Sequence, residues 1–128
     1  MRSVKRDRFL PPSKSDATAL HHHLSTVQLF REVDGAIPAS YLAAFLAVAI
    51  SPGCTVTEVA ELIGAGRPVT SRILLALGQR SRDGSAGYDL VDSSRANADL
   101  RSVNYFLTPK GRALVDRLLN RRFLCMAY

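Results

Sequence analysis

Hydrophobic residues at helical spacing define two short segments in the middle of the chain, residues 55–63 and 67–77. Their apolar residues, three and four positions apart, are Val59, Leu62 and Ile63 in the first segment and Ile73, Leu74 and Leu77 in the second. Each set lines one side of a helix, so the pattern predicts two amphipathic helices that bury these residues in a shared core.

Residues at the ends of the two segments favour the same interpretation. Thr55 and Glu58 have the spacing of a capping box, with Thr57 as an alternative cap. Gly64-Ala65-Gly66 ends the first helix, because glycine adopts left-handed backbone conformations at little steric cost. Pro68 fits the first turn of the second helix, where its missing N–H has no intrahelical partner. Two helices joined by such a turn indicate a helix-turn-helix.

The polar side of the second helix carries the first candidate binding residues. These are Arg67, Val69, Ser71 and Arg72. Guanidinium, hydroxyl and methyl groups match the phosphates, base acceptors and thymine methyls of a DNA major groove. We therefore predict a recognition helix at about residues 67–77. The alternative from this stretch alone is an ordinary helical hairpin whose arginines are solvated.

Two more helices are predicted before this unit. The first covers residues 16–33, ends at Asp34-Gly35, and is followed by Pro38 in the first turn of the second. The apolar face of the first comprises Leu20, Leu24, Val27, Phe30 and Val33. The second, residues 39–50, is apolar nearly all round, which favours a core position. A turn at residues 51–53 and a very short strand at residues 54–56 complete this half.

After residue 77 the pattern changes to loop, strand, loop and strand. The first strand is predicted at residues 88–91 and a polar loop at residues 93–99. Val103, Tyr105 and Leu107 then alternate with Asn104 and Phe106, as in a half-buried strand. This order after a helix-turn-helix is that of a winged helix, with the wing at about residues 88–108.

Polar and basic residues continue along the predicted wing. Arg80 and Arg82 follow the recognition helix, while Arg95 and Asn97 lie near the tip of the loop. An arginine at the tip of a wing enters a narrow minor groove, where the negative potential is deepest. We therefore predict that the wing contacts DNA as well.

The last helix is predicted to begin at Thr108, its cap, and Pro109, its first-turn proline. Its apolar stripe comprises Leu114, Val115, Leu118, Leu119, Phe123 and Met126. This stripe and the helix at residues 16–33 are the candidate surfaces for pairing with a second copy. Substitution of Leu119 by aspartate would test this: an interface position weakens dimerisation, whereas a core position unfolds the protein.

Composition limits the remaining possibilities. The 128 residues form one domain, and a net charge of +6 with a pI of about 9.9 favours a polyanionic partner. We assign residues 1–15 to a basic tail, either an arm along phosphates or a disordered terminus kept soluble by charge, and residues 16–128 to the domain. Without a membrane-length apolar run or a signal-peptide core, the expected location is cytoplasmic.

Catalytic chemistry is not predicted. We find no nucleophile–base set, no phosphate-binding glycine loop and no metal-ligand spacing, so no enzyme activity, cofactor or metal is expected. His21-His22-His23 lacks the i,i+4 spacing that brings two ligands together on one helical face, so these are interpreted as surface histidines. For Cys54 and Cys125 the alternatives are a redox-sensing thiol and, the favoured interpretation, two small buried or incidental residues.

Two motifs resemble the MarR family of bacterial winged-helix regulators. Asp99-Leu100-Arg101 followed by Phe106 to Leu114, FLTPKGRAL, is similar to the family's wing signature, Asp-x-Arg, a short strand, then Leu-Thr-x-x-Gly. Val69-Thr70-Ser71-Arg72, with Leu74 and Leu77 following, resembles its recognition helix. The resemblance covers residues 39–119 and implies a mainly α fold with a small β wing (α+β), a winged helix-turn-helix.

The resemblance also implies a function. MarR-family proteins are homodimers that bind pseudo-palindromic double-stranded DNA, and many bind small phenolic effectors. By position, Ser71 and Arg72 would contact DNA from the recognition helix, Arg101 would be the wing arginine, and Asp99 would position it. We therefore predict a sequence-specific DNA-binding regulator, with repression as the expected sign.

This chain departs from the family pattern in three places, one of which is the segment at residues 78–87, longer than a minimal approach to a wing. The family usually has more helix after the wing. Thr70 stands where an apolar residue is usual, which predicts a recognition helix rotated slightly relative to this alignment. The alternative function is a winged-helix protein-interaction module in a replication or phage-derived assembly. The basic run Arg67, Arg72, Arg80 and Arg82, uninterrupted by any acid, favours the regulator.

Overall fold

The computed structural model describes residues 10–79, 86–94 and 103–127, and the side chains of the last segment as far as residue 119. The described part contains α1 (Lys14–Val33), α2 (Ala39–Ile50), α3 (Val56–Ile63), α4 (Arg67–Leu77), β1 (Val91–Ser94), β2 (Asn104–Leu107) and α5 (Pro109–Ala127). This is the predicted mainly α fold with a small β wing. The basic tail up to residue 9, Arg80, Arg82, Arg95, Asn97, Asp99 and Arg101 lie outside the described residues, as do the side chains of Phe123, Cys125 and Met126.

Helix α2 lies at the centre of the fold. It packs against α3, α4 and β2, and it buries Ala44, Phe45, Ala47 and Val48. The ring of Phe45 meets Phe30 of α1 edge-on, with centroids 5.6 Å apart. The predicted core position of α2 is thus confirmed along most of its length.

The turn between α3 and α4 has the predicted boundaries. Thr55 N–H donates to Glu58 Oε1 at 2.9 Å and Glu58 N–H donates to Thr55 Oγ1 at 3.3 Å, so the capping box starts α3 and Thr57 is inside the helix. Gly64 ends α3 with φ of 70°. One prediction is wrong: Leu62 is exposed, and Ala60 is buried beside Val59 instead. A small side chain on this face lets α3 approach the core closely.

Helix α4 has the register that its sequence predicts. Ile73, Leu74 and Leu77 are buried, and Thr70 lies on the same face with no exposed surface. The Thr70 hydroxyl donates to the carbonyl oxygen of Gly66 at 2.8 Å, so a threonine is accommodated at a core position. The rotation of the recognition helix that Thr70 suggested is therefore absent.

Helix α1 begins two residues earlier than predicted, because Ser13 Oγ accepts from Asp16 N–H at 3.2 Å and caps it. Its predicted apolar face is buried only near the C-terminal end, at Phe30. Three residues of that face are exposed, and we call them the α1 stripe: Leu20, Leu24 and Val27, with 58 %, 54 % and 46 % of their surface accessible.

The wing differs from prediction in where its first strand begins. Strand β1 starts at Val91, three residues late, and it includes Ser93 and Ser94, which were assigned to the loop. The N–H groups of Tyr88, Asp89 and Leu90 donate to carbonyls at the end of α4, and Asp89 has a left-handed φ of 56°. This short segment therefore follows the helix terminus before it pairs with β2.

The strand predicted at residues 54–56 is reduced to a single bridge. Cys54 pairs with Tyr105 of β2, while Val56 is already helical. Strands β1 and β2 pair antiparallel, with Val91 opposite Leu107 and Ser94 opposite Asn104.

Thr108 and Gly111 join the wing to α5. The Thr108 hydroxyl donates to the Asp89 carbonyl at 2.7 Å and accepts from Gly111 N–H at 2.9 Å, which confirms the predicted cap. A Cβ at Gly111 would collide with the carbonyl of Leu90. The Leu-Thr-x-x-Gly motif at residues 107–111 therefore has a structural explanation: the first turn of α5 packs closely against the backbone just before β1.

Gly111→Ala is expected to destabilise the protein by about 1–3 kcal/mol, because the backbone of Leu90 cannot move aside without disturbing β1. Urea unfolding measures the change. Gly35→Ala is the matched control, since nothing lies within 4 Å of a Cβ there. Equal stability of Gly111→Ala and Gly35→Ala would contradict the packing argument.

Candidate nucleic-acid interface

The outer face of α4 presents the predicted recognition residues to solvent. Arg67, Val69, Ser71 and Arg72 are all exposed, whereas Thr70, Ile73, Leu74 and Leu77 of the same helix are buried. Neither arginine makes a hydrogen bond or ion pair with another described residue. No described residue therefore occupies their guanidinium groups, which can donate hydrogen bonds to acceptors on a binding partner.

A concave surface of about 1210 Å³, which we call the α4–wing groove, runs beside this face. It is bounded by the start of α3, by α4 and by both strands of the wing, with lining residues that include Thr57, Arg67, Ser71, Leu75, Gln79 and Ser93. Arg67 and Ser71 are on its wall, whereas Val69 and Arg72 are absent from the wall and occupy the rest of the exposed face. The groove thus joins the helix-turn-helix to the wing in one surface.

Most residues that line this groove are not among the sequence-predicted contacts, and the exposed ones include Thr57, Leu75 and Gln79. Leu75 is one helical turn beyond Ser71, so the helical period of α4 was a signal that could have identified it. Thr57 is in the first turn of α3, and Gln79 lies just beyond the end of α4. Hydrophobic periodicity says little about positions so close to a helix end. Asp92 also lines the groove and contributes its only described carboxylate.

The wing is fixed beside the start of α3 by three hydrogen bonds. Asn104 Nδ2 donates to the Gly53 carbonyl at 2.7 Å, Gly53 N–H donates to Tyr105 O at 2.8 Å, and Tyr105 N–H donates to Cys54 O at 2.9 Å. Gly53 has φ of 86°, a conformation that favours glycine. These bonds fix the orientation of β2 relative to the recognition helix.

Tyr88 connects the wing entrance to the end of α1. Its hydroxyl donates to Asp34 Oδ2 at 2.5 Å, and its ring meets Tyr41 edge-on at 6.0 Å. The hydrogen bond from Tyr88, followed by one from the N–H of Ala36, lowers the pKa of Asp34. The same bond to Asp34, together with burial, raises the pKa of Tyr88 to about 12.

These two shifts predict how the stability contribution of the pair depends on pH. Because the pKa of Asp34 is lowered, its contribution is present above the ordinary value of 3.8 and is lost as pH falls through the folded-state pKa. Because the pKa of Tyr88 is raised from 10.0, its contribution is present below that value and is lost as pH rises to about 12.

Tyr88→Phe is therefore expected to lower the melting temperature between about pH 5 and pH 9, and this difference should shrink below about pH 4. Thermal unfolding at a series of pH values measures it. Tyr41→Phe is the control, since it removes a hydroxyl from the partner ring without removing a bond to Asp34. A Tyr88→Phe effect that persists unchanged at low pH would contradict the assignment.

The described residues show little sign of other chemistry. They contain no group of three His, Cys, Asp or Glu side chains that could hold a metal ion, and no helix among them is long and apolar enough to cross a membrane. Cys54 is buried, and burial raises the pKa of its thiol, which disfavours the reactive thiolate. His21 and His23 are exposed, whereas His22 is half-buried rather than on the surface.

Comparison by sequence finds no matching protein-family model and no matching curated protein. Comparison of structures finds clear matches. BpsR of Bordetella bronchiseptica, whose DNA binding is regulated by 6-hydroxynicotinic acid, is 19 % identical with a TM-score of 0.55, and the match covers 90 % of this chain and 83 % of BpsR.

Two further matches are similar in extent. The MepR–DNA complex of S. aureus is 19 % identical with a TM-score of 0.63 and coverage of 90 % of this chain and 86 % of MepR. A MarR-like transcriptional regulator from Thermotoga maritima is 17 % identical with a TM-score of 0.59 and coverage of 98 % and 70 %. At these identities the comparison establishes the fold: this chain has the winged helix-turn-helix fold of MarR-like transcriptional regulators.

Proposed function

We propose that this protein is a sequence-specific DNA-binding transcriptional regulator of the MarR type. The observation that carries the proposal is the exposed face of α4, where Arg67, Ser71 and Arg72 project beside a groove that continues to the wing. Side chains of this kind on a helix read base edges in the major groove, while arginines also neutralise phosphates. The net charge of +6 supports association with DNA.

The active form is proposed to be a homodimer. The α1 stripe exposes three apolar side chains at helical spacing, and Leu119 on the neighbouring α5 is 56 % exposed. Helices α1 and α5 pack together, and Arg117 forms a 3.0 Å ion pair with Glu32. Paired copies would present two recognition helices to a palindromic operator.

Repression is the proposed sign of regulation, because a bound dimer covers its operator. A small organic effector is part of the proposal, since the DNA binding of the structurally similar BpsR is regulated by such a molecule. We propose no catalytic activity, in keeping with the absence of a catalytic set from the sequence.

Selection of duplexes from a random DNA pool tests the function directly. The purified full chain is expected to enrich one palindromic sequence, and enrichment should be lost when Arg67, Ser71 and Arg72 are all replaced by alanine. Recovery of unrelated sequences, or of none, would reject sequence-specific binding and favour a protein-interaction role for the winged helix.

The wing provides a separate test of the proposal. We expect Arg101→Ala to leave the melting temperature nearly unchanged and to weaken binding most on operators with A·T-rich flanks, whose narrow minor grooves concentrate negative potential. Affinities for matched A·T-flanked and G·C-flanked operators measure this. The same affinities for both proteins on both operators would exclude a DNA-contacting wing.

A further inference from the structure

A second concave surface, of about 320 Å³, lies between the end of α2 and the side of α3. We call it the α2–α3 hollow, and the residues used in the argument are Ala47, Ser51, Cys54, Glu58, Glu61 and Leu62. Among the described residues, none lines both the hollow and the α4–wing groove. A molecule bound in the hollow therefore uses a different surface from the one proposed to bind DNA.

Apolar side chains are exposed at and near this hollow. Leu62, which helical periodicity predicted to be in the core, instead lies on the hollow with 60 % of its surface exposed. Ile50, in the last turn of α2, is 73 % exposed. A single exposed leucine needs no explanation, but apolar groups on two helices that meet at a hollow offer a place for an apolar anchor from a partner.

The charge of the hollow is opposite to that of the protein. The chain carries a net charge of +6, yet the described residues that line the hollow include two carboxylates, Glu58 and Glu61, and no lysine, arginine or histidine. One oxygen of Glu58 accepts from Thr55 N–H, and Glu61 is exposed. These carboxylates repel phosphates and attract cationic side chains.

We propose that the α2–α3 hollow binds a basic, apolar-anchored segment of a separate protein, with an apolar side chain against Leu62 and Lys or Arg side chains facing Glu58 and Glu61. An amphipathic helix with basic flanks has this chemistry. The hollow is small, so the contact is weak and transient. Because the two surfaces share no residue, the segment and DNA are able to bind at the same time.

The basic tail of this chain is a competing occupant with related chemistry. It joins the described structure at the start of α1, and the experiment below therefore includes the tail as a peptide.

The test uses the full chain, labelled with ¹⁵N, and two synthetic amphipathic peptides of 18 residues. Both have leucine on the apolar face; the polar face is lysine in one, the lysine peptide, and glutamate in the other, the glutamate peptide. The lysine peptide is expected to shift amide signals of Ala47, Ser51, Cys54 and Leu62 in a saturable way, and those of α4 to stay in place. The glutamate peptide should produce no such shifts. The experiment contains no DNA, so its outcome is independent of the proposed regulator function.

Charge reversal in the hollow identifies the contact. Glu61→Lys is expected to weaken binding of the lysine peptide about tenfold, because one attraction is replaced by a repulsion. Asp16→Lys makes the same change on α1, where it should have no effect, and melting curves of both variants verify folding. Leu62→Ser, which keeps the charge, should weaken binding about threefold through the lost apolar contact.

Three outcomes would overturn the proposal. The first is a set of shifts on α4 or the α1 stripe instead of the hollow. The second is equal binding of the two peptides, or equal effects of Glu61→Lys and Asp16→Lys. The third is a peptide of residues 1–15 that occupies the hollow at lower concentration than the lysine peptide, which would assign the site to this chain's own tail.

Discussion

Leu24→Asp is expected to make the protein monomeric and to weaken operator binding by about a hundredfold. Leu24 is in the middle of the α1 stripe and is 54 % exposed, so aspartate at this position creates no cavity and buries no charge within one copy. In a dimer, the same carboxylate would lie in an apolar interface without a partner. A monomer loses the second recognition helix, which in the dimer binds at a high effective concentration.

Sedimentation measures the oligomeric state, and titration of full-site and half-site duplexes measures the affinity. Thr18→Asp is the matched control, because it adds the same charge to the same helix at a position about 120° around the axis from Leu24. Leu119→Asp should reproduce the effect, since Leu119 is exposed rather than in the core. A folded Leu24→Asp variant that sediments as a dimer and binds the full site like the wild type would remove the α1 stripe from the interface.

Helix boundaries were predictable because the interactions that set them are local. The capping box joins Thr55 to Glu58, only three residues later in the chain. Gly64, in a left-handed conformation, ends the helix that it directly follows. Thr108 is a similar case at the start of α5. Such features follow from the sequence whatever the rest of the chain does.

Burial was less predictable than helix boundaries, because it depends on which elements pack together. Leu62 continues an apolar stripe, yet α3 turns Ala60 to the core and leaves Leu62 outside. Leu20 and Leu24 belong to an apolar face that no described part of the chain covers. In both places the hydrophobic pattern was real, but the sequence does not say whether a partner residue lies within the same chain.

The start of the wing was mispredicted for a non-local reason. Tyr88 has a residue type common in strands, but its hydroxyl bonds to Asp34, 54 residues earlier, and its N–H donates to the end of α4. Asn104, which was taken as the polar side of an alternating strand, instead holds the Gly53 carbonyl. A contact between segments that are distant along the chain leaves no periodic pattern and no motif in the sequence, so it could not be predicted.

The candidate site was predictable along α4 and not beyond it. Arg67, Ser71 and Arg72 followed from the helical period, since the buried stripe of α4 fixes which positions face outward. The groove was not visible in the sequence, because it requires α3, α4 and the wing to be placed together. Its additional residues Thr57 and Gln79 lie in α3 and just beyond the end of α4.

Arg72→Ala is expected to weaken binding to the preferred sequence by about 1–3 kcal/mol if its guanidinium contacts a base. The basis is its position on the exposed face of α4, without an ion-pair partner among the described residues. A guanine offers two acceptors that a guanidinium engages together, and a different base does not. The loss should then be confined to the preferred sequence, with little change for random duplex.

A phosphate contact predicts a different result for the same variant. Specific and non-specific affinity would fall together, and the slope of the logarithm of the association constant against the logarithm of salt concentration would shrink by about one unit. Arg31→Ala is the control, because it removes an exposed arginine from the last turn of α1, outside the α4–wing groove. If Arg72→Ala matches Arg31→Ala in specific affinity, non-specific affinity and salt slope, then the exposed face of α4 does not face DNA.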